Sequence, residues 1–426
     1  MNYTQTLDWI HSFKANGRRP SLERMRYLLT LLDNPQDTFP AIHVVGTNGK
    51  GSTTSFLQHI LTASGYHTGT FTSPFITRFN ERIAIDGKAI DDQALVAVAK
   101  VIRPIVDSPD FQHKVGRVTE FELVTTLMFY YFANMANVDI AVIEAGIGGT
   151  YDSTNVFKAL AVICPSISFD HQETLGNTLT EIASHKAGVL KTGVPFIFGK
   201  MAEPVEQVFK EKAKQTHSPI YALGHDFSIV SNGRAFDFKS PKDNLSSIQL
   251  KMLGKHQQSN ASLAAMTALL LQPSFSAISL KTIREGLEQT IWAGRCEWLG
   301  PNLMLDGAHN EDSIAKLVDL LKTEFADKTI HILFAGLRRK PLAHLLEELA
   351  DFDVAVTTFD FYQAQALEDY PASYTKVSHY KDWLSQINDN PEDLFVVTGS
   401  LYFISEVRKS LIASIGKSRL FVNCSG

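Results

Sequence analysis

The stretch Val44-Val45-Gly46-Thr47-Asn48-Gly49-Lys50-Gly51-Ser52 gathers glycines, a lysine and hydroxyls into a single short turn. Glycines let backbone N–H groups approach an anion closely, a helix N-terminus adds partial positive charge, and a lysine can reach outer phosphates. Ser52 or Thr53 is then placed to meet a magnesium ion, which completes the chemistry of a phosphate cradle. The spacing departs from the usual P-loop pattern: Val44 replaces the first glycine, and Gly51 separates lysine from serine. On pattern alone, an ordinary glycine-rich βα turn remains the alternative.

Five further groups carry chemical side chains. Glu144 ends an apolar run and opens Glu144-Ala145-Gly146-Ile147-Gly148-Gly149-Thr150-Tyr151-Asp152. Ligands of open parallel sheets bind beyond the carboxyl ends of the strands, so an acid there suits a Walker-B-like role on magnesium. A carboxylate capping a glycine turn is the plainer reading. Asp170-His171 follows Leu160–Ser168 by a short link, again just past a strand. Thr72-Ser73-Pro74, with Arg78–Arg82 after it, reads by itself as a proline turn and a charged loop. Lys186 lies in a helical stretch from about Thr178, where most lysines are solvated. Asp306-Gly307-Ala308-His309-Asn310 reads equally as a site or as a helix N-cap.

The elements that must position these groups follow from apolar runs alternating with helical patterns, the sign of βα units and a mostly parallel sheet. Predicted buried strands are Ile42–Val45, Asp139–Glu144, Leu160–Cys164 and Val194–Phe198. Thr53–Leu61 reads as a helix closed by Gly65, and Phe121–Asn137 as a crossover helix. A second series comprises Asn302–Leu305, Ile330–Ala335, Val354–Thr357 and Leu394–Val397. Tyr221–Met252 alternates and predicts antiparallel hairpins on the first domain. The boundary falls near Trp292–Leu299, and two such domains offer a cleft for a small molecule.

Bulk composition excludes several classes. A chain of 426 residues suggests two or three domains, and 44% hydrophobic with 20% charged residues is ordinary for a soluble protein. A net charge of −5 gives no footprint for nucleic acid. Cys164, Cys296 and Cys424 are odd in number and far apart, which fits a reducing cytoplasm without a disulfide framework. No apolar run reaches the length of a membrane span, and the start lacks a leader pattern.

Taken together, the segments resemble the folylpolyglutamate synthase and dihydrofolate synthase family of the Mur ligase superfamily. The resemblance runs in order through Gly46–Ser52, Thr72–Pro74 with Phe79–Ile83, Phe121-Glu122, Glu144–Val156 and Asp170–Lys191. It continues through Gly254–Ala261, Trp292–Glu297, Asp306–Asn310 and Thr398–Tyr402. It implies a P-loop-type, mostly parallel sheet domain with added antiparallel hairpins, plus a smaller Rossmann-like α/β C-terminal domain. Residues 1–294 would be the ATP-binding domain, 295–300 a linker and 301–426 the glutamate-ligase domain.

The implied activity is ATP-dependent addition of L-glutamate to the γ-carboxyl of a reduced folate, through an acyl phosphate. Addition of glutamate to dihydropteroate is the alternative, alone or as a second activity. By the same resemblance Thr47, Asn48, Gly49, Lys50, Gly51 and Ser52 hold the triphosphate, and Asn260, Arg295 and Asp306 meet the nucleotide. Ser73, Glu144 and His171 match ligands of one magnesium ion, and Ser52 the serine near a second. Lys186 matches a lysine that is carbamylated in family members, its carboxylate helping to hold that second ion. His309 matches a residue turned toward phosphate and glutamate. Lys50, Lys186 and His309 are thus the expected catalytic residues, with a monovalent cation as a further candidate ion. The expected protein is a cytoplasmic monomer without nucleic-acid or membrane partners. Three departures stand out: Phe75 where histidine is frequent, Thr150 where many bifunctional members carry arginine, and Leu337-Arg338-Arg339-Lys340-Pro341 where an Asp-Lys-Asp segment is common.

Overall fold

A computed structural model describes residues 1–13 and 21–415, so Cys424 lies outside the described residues. The chain divides into two compact units. The first comprises Met1–Phe75, Phe79–Lys251 and Lys255–Ile291, the second Ile76–Arg78, Met252–Gly254 and Trp292 onward.

The first unit is built on eight strands: β1 (Ala41–Val44), β2 (Thr68–Phe71), β3 (Ile83–Ile85), β4 (Lys88–Ala89), β5 (Ile140–Glu144), β6 (Ala161–Cys164), β7 (Phe196–Phe198) and β8 (Ile220–Ala222). Their order is β4-β3-β2-β5-β1-β6-β7-β8. All neighbours from β2 to β8 run parallel, and β3 and β4 extend the β2 edge as antiparallel strands. Strands β1, β5 and β6 are buried along their whole length, as expected of parallel strands covered on both faces. In register, Val44 lies opposite Glu144 on one side and Ile163 on the other. The turns leaving β1, β5 and β6 therefore share one edge of the sheet.

A helix at Lys50–Ala63 follows β1, starting at Gly49 with φ +85°, and is succeeded by Gly65 at φ +86°. The apolar stretch read as one helix over Phe121–Asn137 is α-helical over Glu120–Tyr131 and then widens into a π turn, Phe132–Ala136. Thr119 and Glu122 form a reciprocal capping box at its start, and Asn137 ends it at φ +51°. The helix Leu280–Gln289 lies against the helix after β1 so closely that a Cβ on Gly286 would stand 2.5 Å from the Ile60 backbone.

One reading needs correction. Tyr221 belongs to β8, a parallel neighbour of β7, and not to a hairpin. Only β9 (Ser228–Asn232), β10 (Ala235–Lys239) and β11 (Asn244–Gln249) form the antiparallel sheet. An edge strand is half solvated, so its sequence alternates much as an antiparallel strand's does.

The second unit holds β12 (Glu297–Trp298), β13 (Leu303–Leu305), β14 (Ile330–Phe334), β15 (Asp353–Val356), β16 (Thr375–Lys376) and β17 (Leu394–Thr398). Their order is β12-β13-β17-β14-β15-β16, with β12 alone antiparallel. Leu305, Ile332, Leu333, Val356, Val396 and Val397 fill its core. Among the described residues, no helix is long and apolar enough to cross a membrane.

Candidate active site

The loop after β1 is fixed from the neighbouring strand. Thr47 N donates to Ser166 O at 2.8 Å and Asn48 N to Ser166 Oγ at 3.0 Å, while Thr47 Oγ1 donates to Ser168 O at 3.1 Å. The segment after β6 is thus the bed on which the glycine loop lies. Gly49 is needed there on two counts: its φ of +85° disfavours a side chain, and a Cβ would sit 2.5 Å from Asn260 Oδ1 and 3.0 Å from Pro165. Asn260, on the helix Lys255–Leu271, therefore borders the loop.

The first turn of the helix Lys50–Ala63 cannot satisfy its own N–H groups internally. Its Ser52 and Thr53 side chains are buried, and Thr53 Oγ1 has no hydrogen-bond partner. A concave backbone turn, a helix start and an orphaned hydroxyl fit a phosphate with its cation.

Charge converges at the same edge. Lys50 Nζ donates to Thr47 O at 3.2 Å and lies 3.8 Å from Glu144 Oε1. Ser73 N donates to Glu144 Oε2 at 3.4 Å. Glu144 closes β5, and Lys50 and Ser73 follow β1 and β2, so the three come from three adjacent parallel strands. Glu144 is buried, so its carboxylate is held in place with a cation and an amide beside it. Among the described residues no group of three or more His, Cys, Asp or Glu side chains could hold a metal. Magnesium commonly takes one or two carboxylates and completes its shell with water and phosphate oxygens, so Glu144 with the Ser73 hydroxyl is a fitting start of one donor set, and the Ser52 hydroxyl at the helix start offers an oxygen for another. His171 adopts φ +52° at the start of the short helix Gln172–Leu175, with Nε2 4.0 Å from Asp170 Oδ1.

Lys186, unlike most helix lysines, is buried, with 4% of its surface exposed. Its helix, Leu179–Ala187, begins at the Thr178 cap, and Nζ donates to Gly46 O at 2.8 Å. Burial, and then the positive charge of Lys50, push its amine down to about 7, partly opposed by Cys164, Asp170 and Asp152. A substantial neutral fraction near neutral pH follows.

Two sets of contacts that the sequence did not reveal shape this site. Thr150 N and Oγ1 both donate to His185 O, at 2.9 and 3.1 Å, clasping the helix end that carries Lys186. Asp152 accepts from Ile147 N at 2.9 Å and from Thr154 Oγ1 at 2.5 Å, and Thr154 Oγ1 also meets His43 Nε2 at 2.8 Å. That buried chain ties the loop after β5 to strand β1, and burial keeps His43 neutral, at about 3. The signal available was the density of Thr, Asp and Asn between Thr150 and Asn155, without any indication of what it touches.

The second unit assembles its own group. Asp306 Oδ2 accepts from Cys296 N at 3.0 Å and from Cys296 Sγ at 3.4 Å, and Oδ1 accepts from Ala308 N at 2.9 Å. Cys296 holds φ +47° to do this, and burial together with the Asp306 charge raises its thiol well above the usual range. A Cβ on Gly307 would lie 2.5 Å from an Arg295 guanidinium nitrogen, so Arg295 and Asp306 flank one turn. His309 Nδ1 is 2.8 Å from Gly307 O, and Asn310 caps the helix Glu311–Glu324 through Ser313 N. Both readings of this turn are therefore realised together: Asn310 is the cap and Asp306 the buried acid.

A phosphate-type turn at the carboxyl edge of one α/β unit, followed by a second α/β unit, is the arrangement of Mur-type ligases. The Mur ligase middle domain matches residues 44–268, and the Mur ligase glutamate ligase domain matches residues 294–401. The dihydrofolate synthase/folylpolyglutamate synthase of Bacillus subtilis is 37% identical, covering 96% of this chain and 99% of that protein. The folylpolyglutamate synthase of Lacticaseibacillus casei is 36% identical over 98% of this chain and 100% of its own. Among solved structures, the Mycobacterium tuberculosis folylpolyglutamate synthase complexed with ADP superposes with a TM-score of 0.88 at 28% identity, covering 96% of this chain and 98% of that one. A folylpolyglutamate synthase complex with AMPPCP and folate gives 0.86 at 35% identity, covering 97% and 100%. The chain belongs to the folylpolyglutamate synthase and dihydrofolate synthase family of Mur ligases.

Proposed function

We propose that this protein adds L-glutamate to the γ-carboxyl of a reduced folate at the expense of ATP, releasing ADP and phosphate. The observation that carries the reading is the meeting of Lys50, Ser73 and Glu144 at the carboxyl ends of three adjacent strands beside the glycine loop.

A carboxylate acylates poorly, so its oxygen first takes the γ-phosphoryl group of ATP. The loop from Thr47 to Ser52 grips the triphosphate through backbone N–H groups, and Lys50 offsets charge on the transferring phosphoryl. The amine of glutamate then attacks the acyl carbon, a tetrahedral intermediate forms, and phosphate leaves. Asn260, beside Gly49, would border the nucleotide. By the family resemblance, Arg295 and Asp306 would meet the nucleotide and His309 the phosphate and glutamate.

Magnesium supplies charge neutralisation and alignment of phosphate oxygens when bound. Ser73, Glu144 and His171 would hold one ion, and Ser52 with Lys186 a second. Lys186 can take part only as an oxygen donor, that is, as a carbamate. Its neutral amine attacks dissolved carbon dioxide, the N–C bond forms and a proton leaves the nitrogen. The low amine pKa supports this, since only the unprotonated form reacts. We further propose that the enzyme acts as a cytoplasmic monomer.

Addition of glutamate to dihydropteroate is the second reading, favoured by the B. subtilis relative that carries both activities in its name. Transfer of labelled glutamate with Mg-ATP, comparing tetrahydrofolate and dihydropteroate as acceptors, tests both. Labelling of tetrahydrofolate alone is the expected result and gives Phe75 and Thr150 a selective meaning. Labelling of both makes the enzyme bifunctional. ATP turnover without any amide product refutes the ligase reading.

A further inference from the structure

The segment Leu337–Lys340 leaves β14 at the carboxyl edge of the second unit's sheet, where ligands of parallel sheets bind. It carries Arg338, Arg339 and Lys340 in a chain whose net charge is −5. Arg338 and Arg339 are exposed.

A second observation falls beside the first. Arg338 N donates to Gln363 O at 3.0 Å, Arg338 Nε donates to Ala364 O at 2.8 Å, and Gln365 N donates to Gly336 O at 3.0 Å. The cationic segment is thereby stapled to the segment that leaves β15. That segment presents rings: Phe361 stacks on Tyr402 with centroids 4.3 Å apart and meets Tyr362 at 4.8 Å. Tyr402 opens the helix after β17, so turns from three adjacent strands build one face. Tyr362 is 79% exposed and Tyr402 41%, although aromatic rings usually bury most of their surface. An exposed aromatic face joined to the fixed guanidinium of Arg338 and the exposed one of Arg339 suits a ligand with both a flat ring and several carboxylates.

We propose that this edge is a subsite for the folyl oligo-γ-glutamate being extended. Tyr362 and Tyr402 take a flat ring of the substrate, and Arg338 and Arg339 pair with carboxylates of its tail. The proposal rests on the folate-ligase reading and adds a consequence to it. Each γ-linked residue leaves one α-carboxylate free, so the negative charge of the tail grows by one with every addition. Longer tails should bind better until the cations are matched.

The test compares KM for monoglutamyl and tetraglutamyl tetrahydrofolate in Arg339→Glu, Arg338→Ala and Tyr362→Ala, with thermal melts to verify folding. Arg339 and Tyr362 are exposed, so these two variants should fold even if Arg338→Ala loosens the staple. Arg339→Glu is expected to raise KM for the tetraglutamyl substrate about fivefold, with less than about a twofold change for the monoglutamyl one. Tyr362→Ala should raise both alike, by about threefold. KM for free glutamate and for ATP should stay constant, and added salt should erase the advantage of the longer tail. Equal effects of Arg339→Glu on both tail lengths would overturn the proposal. So would a parallel rise in KM for free glutamate, which would make the cations part of the amino-acid site. Failure of the unsubstituted protein to extend tetrahydrofolate would instead remove the ligase reading.

Discussion

Replacing Gly188 by alanine brings a Cβ to 1.9 Å from Thr150 Oγ1, 2.8 Å from its Cβ and 3.0 Å from its Cα. Rotating the Thr150 side chain relieves the first contact and leaves the other two. Carbon atoms settle at about 3.5 Å or beyond, so the loop and the helix end must separate by roughly 0.7 Å. Lys186 is two residues away, and its 2.8 Å bond to Gly46 O would stretch to the limit of a hydrogen bond. Overpacking costs about 1–3 kcal/mol and the weakened buried bond about 1 kcal/mol, giving a loss of about 2–4 kcal/mol. For a unit of this size that corresponds to a Tm lower by roughly 3–7 °C.

The sign makes this a sharp test. Gly188 sits at φ −62°, ψ −12°, a conformation alanine adopts freely. Without the clash, Gly188→Ala would stabilise the protein by about 0.4–1 kcal/mol through the unfolded chain. Calorimetry combined with the glutamate-transfer assay reads both effects, and kcat should fall more than about tenfold as Lys186 shifts. Adding Thr150→Gly removes every atom in the clash beyond Cα and should restore most of the loss. A single mutant with equal or higher Tm and full kcat refutes the interlock between this loop and the Lys186 helix.

Lys50→Ala is expected to lower glutamate transfer by about 10²–10³ or more, since it removes the cation proposed to meet the transferring phosphoryl; near-normal turnover would refute the cradle. Because its amine is pushed down to about 7, Lys186 predicts a rate that rises with pH through about 7. Lys186→Ala should be severely impaired, lack that limb and recover partly with acetate; normal activity in the unrescued variant removes the carbamate. The unfolded chain binds the Lys186 proton more tightly, so this residue makes stability rise from about 7 toward 10.5, a slope that urea titrations should find missing in Lys186→Met. His331 behaves in the opposite sense. Burial opposes its charge, but bonds to Asp353 at 2.6 Å and Asp393 at 3.1 Å prevail and raise it above 6.5. Its stabilisation should be complete below 6.5 and fade as pH rises through the raised value, and His331→Gln should flatten that dependence in pH-resolved melts.

Strand positions were legible because parallel strands are apolar on both faces: Ile42–Val45 and Leu394–Val397 fall within a residue of β1 and β17. Helix starts were legible where a capping residue announces them, as at Thr178. Strand order was not, because nothing in Ala41–Val44 specifies that it lies between Ile140–Glu144 and Ala161–Cys164. The bed of the glycine loop at Pro165–Ser168 was invisible for the same reason. Periodicity also misjudged Lys186: its helix has an ordinary pattern, and only tertiary packing buries the amine. At Phe132–Ala136 the apolar spacing continued while the backbone changed to a π turn, a difference of one hydrogen-bond step that composition does not encode.

The placement of β1 has a consequence for how the protein is made. Ala41–Val44 emerges from the ribosome early, yet both strands that flank it follow about a hundred residues later, and the helix that locks against Ile60 ends only at Gln289. At synthesis rates of about 5–20 residues per second, that interval lasts roughly 12–50 s. Until the two flanking strands arrive, in roughly the first half of it, an apolar segment with open hydrogen-bonding edges waits unpaired. The glycine loop proposed to grip phosphate, though encoded near the start of the message, would become competent among the last parts of its unit. Truncated nascent chains should therefore depend on chaperones until this late helix has cleared the exit tunnel.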